Sequence, residues 1–167
     1  PSGHQPDDYI VERLNCDSHD GRKIPLTITR HKKTKLDGTA NLLLYAYGSY
    51  GASMVPGFSS SRLSLINRNI IWVTAHIRGG MERGMSWWKE GKMLNKKNTF
   101  EDYISSAKFL IHKKYTGKGK IIGMGGSAGG LLMGTVVNQA PELFLGMIMT
   151  VPFVDTLTTN LNHLLPL

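Results

Sequence analysis

Residues 120–130 read Lys120-Ile121-Ile122-Gly123-Met124-Gly125-Gly126-Ser127-Ala128-Gly129-Gly130, and this stretch decides the fold. Lys120 to Met124 is a short apolar run stopped by glycine, as a buried strand should be. Beyond the glycines, Leu131 to Gln139 continues as a helix up to Pro141. Between the two lies Gly125-Gly126-Ser127-Ala128-Gly129, a G-x-S-x-G in the strand, turn and helix setting of a nucleophile elbow. The turn is so sharp that side chains two residues before and after Ser127 would collide with neighbouring chain, which requires glycine at 125 and 129. It lifts Ser127 Oγ clear of the sheet and points the Ala128 amide toward an oxyanion, where the helix dipole adds positive potential. One segment would thus supply both a nucleophile and an oxyanion donor.

Two other readings compete for these residues. Gly123-Met124-Gly125-Gly126-Ser127-Ala128 also fits the dinucleotide fingerprint G-x-G-x-x-G/A. That fingerprint usually opens a first βαβ unit and is followed roughly 20 residues on by an acid at a strand end. Here several strands precede it, and the nearest acid is Glu142 beside Pro141. The uncharged stretch Ile121 to Pro141 is long enough to suggest a membrane span, but its six glycines with Asn138 and Gln139 favour a buried strand, turn and helix.

Outward from the elbow, strands alternate with helices. Tyr9 to Leu14 and Ile24 to Arg30 predict an antiparallel pair around His19-Asp20-Gly21, where Asp-Gly supports a tight reversal. Leu42 to Tyr47 and Ile70 to Ala75 predict buried parallel strands, with a short helix over Arg62 to Asn69 between them after the capping serines 59–61. Thr99 to Lys114 carries Phe100, Tyr103, Ile104, Ala107, Leu110 and Ile111 at helical spacing. Thr99 is expected to cap it, with Glu101 and Asp102 at its positive end and Lys113-Lys114 at its negative end. Leu145 to Val151 predicts a last strand. The pattern is that of an α/β domain whose mostly parallel sheet is covered on both faces. With only fifteen residues after Pro152, the domain is expected to stop short after the strand that follows the nucleophile helix, leaving that strand as an apolar edge.

Composition narrows the function. The 167 residues, 41% hydrophobic and 19% charged, suit one globular domain. The net charge of +8 permits an anionic partner, but the lysine pairs are scattered and the aromatics follow no RNP-like order, so no nucleic-acid partner is expected. No membrane association or signal peptide is read. The single Cys16 forms no internal disulfide and suits a reducing, cytoplasmic setting. No histidine pair has zinc spacing, and no cofactor is implied.

Five motifs in register carry a resemblance: Tyr45-Ala46-Tyr47-Gly48-Ser49-Tyr50-Gly51, Ala75-His76-Ile77-Arg78-Gly79-Gly80, Lys96-Lys97-Asn98-Thr99-Phe100, Gly125 to Gly130, and Val151-Pro152-Phe153-Val154-Asp155. In order and spacing the chain resembles the peptidase domain of the prolyl oligopeptidase family, its oligopeptidase B branch most of all. The resemblance implies an α/β-hydrolase fold, with residues 1–8 as a lead-in and 9–167 as part of the peptidase domain, lacking the family's β-propeller and C-terminal third. It implies acyl-enzyme cleavage of short peptides after Arg or Lys, with Ser127 as nucleophile, the Ala128 amide as one oxyanion donor and the Tyr47 hydroxyl as the second. The family's triad Asp and His, and the pocket carboxylate for the basic residue, would lie beyond Leu167. Asp155 and His163 are poor substitutes, because neither follows the late strands that place the acid and base. Met81 stands where the family usually has a third glycine. Val55 and Gly57 stand where oligopeptidase B carries acids that favour a second basic side chain. Short peptides are the expected ligands, and a missing C-terminal segment or a chaperone is the expected macromolecular partner. The rival readings are a prolyl-specific or esterase relative, and a catalytically silent interaction module or gene fragment.

Overall fold

The computed structural model describes residues 3–165. Pro1 and Ser2 of the expected lead-in, and the closing Pro166 and Leu167, lie outside the described residues. Strands β1 (Tyr9–Asp17) and β2 (Lys23–His31) form the expected hairpin, paired from Tyr9↔His31 to Asp17↔Lys23. Gly21 supplies the left-handed residue of its turn at φ 80°. Then follow β3 (Leu42–Tyr45), α1 (Ser60–Ile66), β4 (Ile71–Ala75), α2 (Met85–Lys89), α3 (Lys97–His112), β5 (Ile121–Gly126), α4 (Ala128–Gln139), β6 (Phe144–Thr150) and α5 (Thr156–Leu161).

The six strands make one sheet in the order β1-β2-β4-β3-β5-β6. The first two contacts, β1 with β2 and β2 with β4, are antiparallel, and the other three are parallel. Helices cover both faces, as alternation along the strands requires. Leu42, Leu44, Ile71, Val73 and Ile121 point to the face where Tyr103, Ala107 and Leu110 of α3 meet Leu132, Met133 and Val136 of α4. Leu43 and Trp72 point the other way, toward Ile66 and Leu63 of α1. No helix among the described residues is long and apolar enough to cross a membrane, and the run from Ile121 to Pro141 is β5, the elbow and α4.

Two expectations need correction. Thr99 does not cap α3: the helix starts at Lys97, and Thr99 is buried in its first turn, where its hydroxyl donates to the carbonyls of Arg78 (2.8 Å) and Gly91 (3.2 Å). Asp102 does not sit at the helix end as a solvated dipole partner; it is fully buried against Arg78. Two elements also extend or shift. Helix α4 begins at Ala128 and not at Leu131, and α1 begins two residues early, capped by Ser59 accepting the Arg62 amide.

β3 is followed in sequence by β4 on one side, while β5 lies on its other side. The direction of winding therefore reverses between β3 and β5, and the carboxyl ends of these strands are the switch point at which α/β sheets bind ligands. Tyr47 follows β3 and Ser127 follows β5.

Candidate active site

Ser127 leaves β5 with φ 54° and ψ −118° and occupies the N-cap position of α4. Its side chain is exposed, whereas Ala128, Gly129 and Gly130 behind it are buried. A non-glycine residue in this region is strained by about 1–3 kcal/mol and persists only where its surroundings over-determine it. They do so here. The Ser127 amide donates to Thr150 O (3.0 Å), and its carbonyl accepts from Gly130 (2.8 Å) and Phe153 (2.9 Å). Val151, between those anchors, is also left-handed at φ 43°, an outlier for a β-branched residue. The Val151-Pro152-Phe153 stretch thus serves as the buttress of the elbow.

The glycines divide more finely than the sequence suggests. A methyl group on Gly125 would run into the carbonyl oxygen of Gly129, with its carbon 2.8 Å away, so nothing larger than hydrogen fits. One on Gly130 would lie 2.5 Å from Pro152 Cα, an equally rigid obstacle that sequence reasoning missed. Gly129 is merely tight: its added carbon would sit 3.1 Å from Ala46 O and 3.4 Å from Tyr47 Cδ2. That last distance places the Tyr47 ring against the elbow. Tyr47 is half-buried, and its hydroxyl makes no hydrogen bond among the described residues. The Ala128 amide, first in its helix, has no acceptor within the helix. The head of α4 therefore offers an uncommitted N–H and positive potential beside Ser127, with the Tyr47 ring against the same elbow.

The loop after β4 holds a buried ionic network. Arg78, 1% exposed, reaches Asp102 and Asp20, and its ring-stacking partner Trp87 lies beneath it with 5.8 Å between guanidinium and ring centre. Desolvation draws the guanidinium down, but the bonds to Asp102 and Asp20 outweigh it and hold Arg78 above its ordinary value. Lys96 is half-buried, and its partial desolvation lowers it to about 8. It remains mostly an ammonium at neutral pH. In the neighbouring loop, Glu82 accepts the Met54 amide (2.9 Å) and faces His76 Nδ1 across 3.7 Å, while His76 Nε2 meets Thr27 Oγ1 at 2.8 Å.

Ser127, Ala128 and Tyr47 are thus brought together. Asp155 and His163 are not: Asp155 caps α5 by accepting the Thr158 amide (3.2 Å), and no hydrogen bond among the described residues links it to His163 or Ser127. No group of His, Cys, Asp and Glu among the described residues is arranged to hold a metal ion.

The family model described as "Prolyl oligopeptidase family" matches residues 56–167. The chain belongs to the prolyl oligopeptidase family. It is 47% identical over 166 residues to dipeptidyl aminopeptidase BI of Pseudoxanthomonas mexicana, covering 99% of this chain and 23% of that protein. It is likewise 47% identical over 159 residues to protease 2 of Moraxella lacunata, covering 95% of this chain and 23% of that protein. Among solved structures, oligopeptidase B from Leishmania major superposes with a TM-score of 0.91 at 45% identity, over 95% of this chain and 22% of that one. The chain therefore spans about a quarter of the length of these family members, and its sheet and helices are part of the family's α/β-hydrolase fold.

Proposed function

We propose that this chain is the N-terminal part of the peptidase domain of a serine oligopeptidase, cleaving short peptides after Arg or Lys. Ser127 Oγ attacks the scissile carbonyl carbon, its proton passing to a histidine contributed by chain beyond residue 167. The carbonyl oxygen becomes an oxyanion held by the Ala128 N–H and the Tyr47 hydroxyl. Collapse expels the amine, which takes the proton from that histidine, and water then hydrolyses the ester by the same route. The observation that carries this reading is the exposed, left-handed Ser127 at the head of α4, with the Tyr47 ring packed on the same elbow. The oligopeptidase B likeness favours basic specificity, and the lone buried thiol of Cys16 suits a cytoplasmic setting.

A second basic subsite is not part of the proposal. In the loop 53–58, Val55 is exposed and Gly57 has no side chain, so neither position offers a carboxylate to a second cation. The test is a series of peptide amides offered to the full-length protein and its Ser127→Ala variant. Cleavage after Arg or Lys that needs Ser127, with Arg-Arg and Ala-Arg sites cut at similar rates, is expected. Cleavage after proline alone would replace this specificity with that of the prolyl relatives, ester hydrolysis without peptide cleavage would make it an esterase, and no turnover would make it a silent module.

A further inference from the structure

Half-buried Lys96 has no acidic partner among the described residues, although drawing a cation partly out of water is costly. Its ammonium is spent instead on the chain just after β3: Nζ lies 2.6 Å from Gly48 O and 2.8 Å from Ser49 Oγ. Gly48 is the residue after Tyr47, and it is left-handed at φ 70°. Its surroundings leave it no other place. A methyl group there would lie 2.6 Å from Thr99 Cγ2 and 2.8 Å from Ile77 Cδ1, while Gly79 backs directly onto the Gly48 carbonyl oxygen, where any side chain would collide. The Gly48 peptide is thus crowded from behind by Gly79 and drawn forward by Lys96.

Since no side-chain hydrogen bond orients the Tyr47 ring, its aim is set by the backbone it hangs from. We propose that Lys96 is a positioning residue, holding the Tyr47-Gly48 turn so that the Tyr47 phenol faces the oxyanion formed above Ser127. This rests on the oxyanion role proposed for Tyr47, and deepens it. No hydrogen bond among the described residues links Lys96 to Ser127. It acts from the loop that leads into α3, so the same helix that grips Arg78 through Thr99 and Asp102 also fixes the end of β3.

A double-mutant cycle in the full-length enzyme, read with an arginyl-amide substrate, tests it. Lys96→Met keeps the aliphatic bulk and is expected to lower kcat about tenfold or more with KM within about twofold, the pattern of an interaction lost only in the transition state. In a Tyr47→Phe background the same change is expected to lower kcat by less than about twofold, because the phenol it positions is gone. Equal losses in the two backgrounds, or no loss in either, would overturn the proposal while leaving Tyr47 a donor. Tyr47→Phe without loss of kcat would overturn the oxyanion role and this inference together. If Lys96→Met does not fold, Lys96→Leu, which likewise brings no N–H donor to Gly48 O, goes through the same cycle with the same criterion.

Discussion

Arg78 and Asp102 meet side by side between the end of β4 and α3: Nε lies 2.9 Å from Oδ2 and Nη2 2.6 Å from Oδ1. Asp102 Oδ2 also accepts the Arg78 amide (3.0 Å), and Oδ1 the hydroxyl of Ser18 (2.5 Å). Four donors thus satisfy the carboxylate fully, which is what allows it to be buried without exposure. The pair ties the end of β4 to the first half of α3, and through Ser18 and Asp20 to the hairpin turn.

Removing one member of such a pair leaves the other charge buried. Asp102→Ala is expected to destabilise the domain by about 3–5 kcal/mol. Asp20→Ala should cost far less, because Asp20 is 36% exposed and water can replace it. Urea unfolding followed by tryptophan fluorescence, to which Trp87 beneath Arg78 contributes, measures both. Equal losses would show that the burial of Asp102 carries no special weight.

The elbow glycines predict an order of effects. Gly125→Ala and Gly130→Ala each push a methyl group into backbone, and overpacking of this kind costs about 1–3 kcal/mol or more. Gly129→Ala meets only a tight contact and gains up to about 1 kcal/mol of helix propensity, so its stability should change little. Its methyl group presses on the Ala46 carbonyl and touches the Tyr47 ring beside it, and kcat should fall. Unfolding midpoints and steady-state kinetics on the three variants check this; Gly129→Ala as the most destabilising would contradict it.

These glycines also show how far the sequence could be read. The elbow was legible because it is local: strand, turn, Ser127 and helix lie within twenty residues, and the glycine spacing follows from the turn itself. The central strands β3, β4 and β5 were legible for the same reason, as short apolar runs with glycine soon after them. Gly130 was not, because its obstacle is Pro152, twenty-two residues on. Asp102 and Thr99 were misread because a buried ion pair and a buried hydroxyl depend on the Arg78 loop, which helical periodicity does not see. The short helix α2, five residues behind a left-handed Gly84, carries too little periodicity to register.

Lys96 predicts a pH dependence. Burial lowers its ammonium from the ordinary 10.5 to about 8. Below pH 8 both states carry the charge, and the folded state bears the whole cost of burying it. Between pH 8 and 10.5 the unfolded chain keeps a proton that the folded chain has released, so this group's contribution turns more favourable as pH rises. The stability of the parent relative to Lys96→Met should therefore increase across that window. A difference independent of pH would contradict it.

β6 closes the sheet on one side with Leu145, Met149 and Ile148 partly open to solvent, 61%, 40% and 44% exposed. Leu145 sits where the β5–β6 register shifts, and with Ile148 and Met149 it leaves this edge apolar; an open edge strand templates further pairing. The segment by itself is expected to self-associate or to bind the remainder of the domain supplied in trans. Leu145→Lys with Ile148→Lys should shift it toward monomer in size-exclusion chromatography. An unmodified segment that stays monomeric and soluble would contradict this.

The central claim, that Ser127 is the nucleophile, is tested most directly by treating the full-length protein with a serine-directed fluorophosphonate and mapping the adduct by mass spectrometry. One adduct per chain on Ser127, with loss of peptidase activity and no adduct in Ser127→Ala, is the expected result. Undiminished labelling or turnover in Ser127→Ala would contradict it.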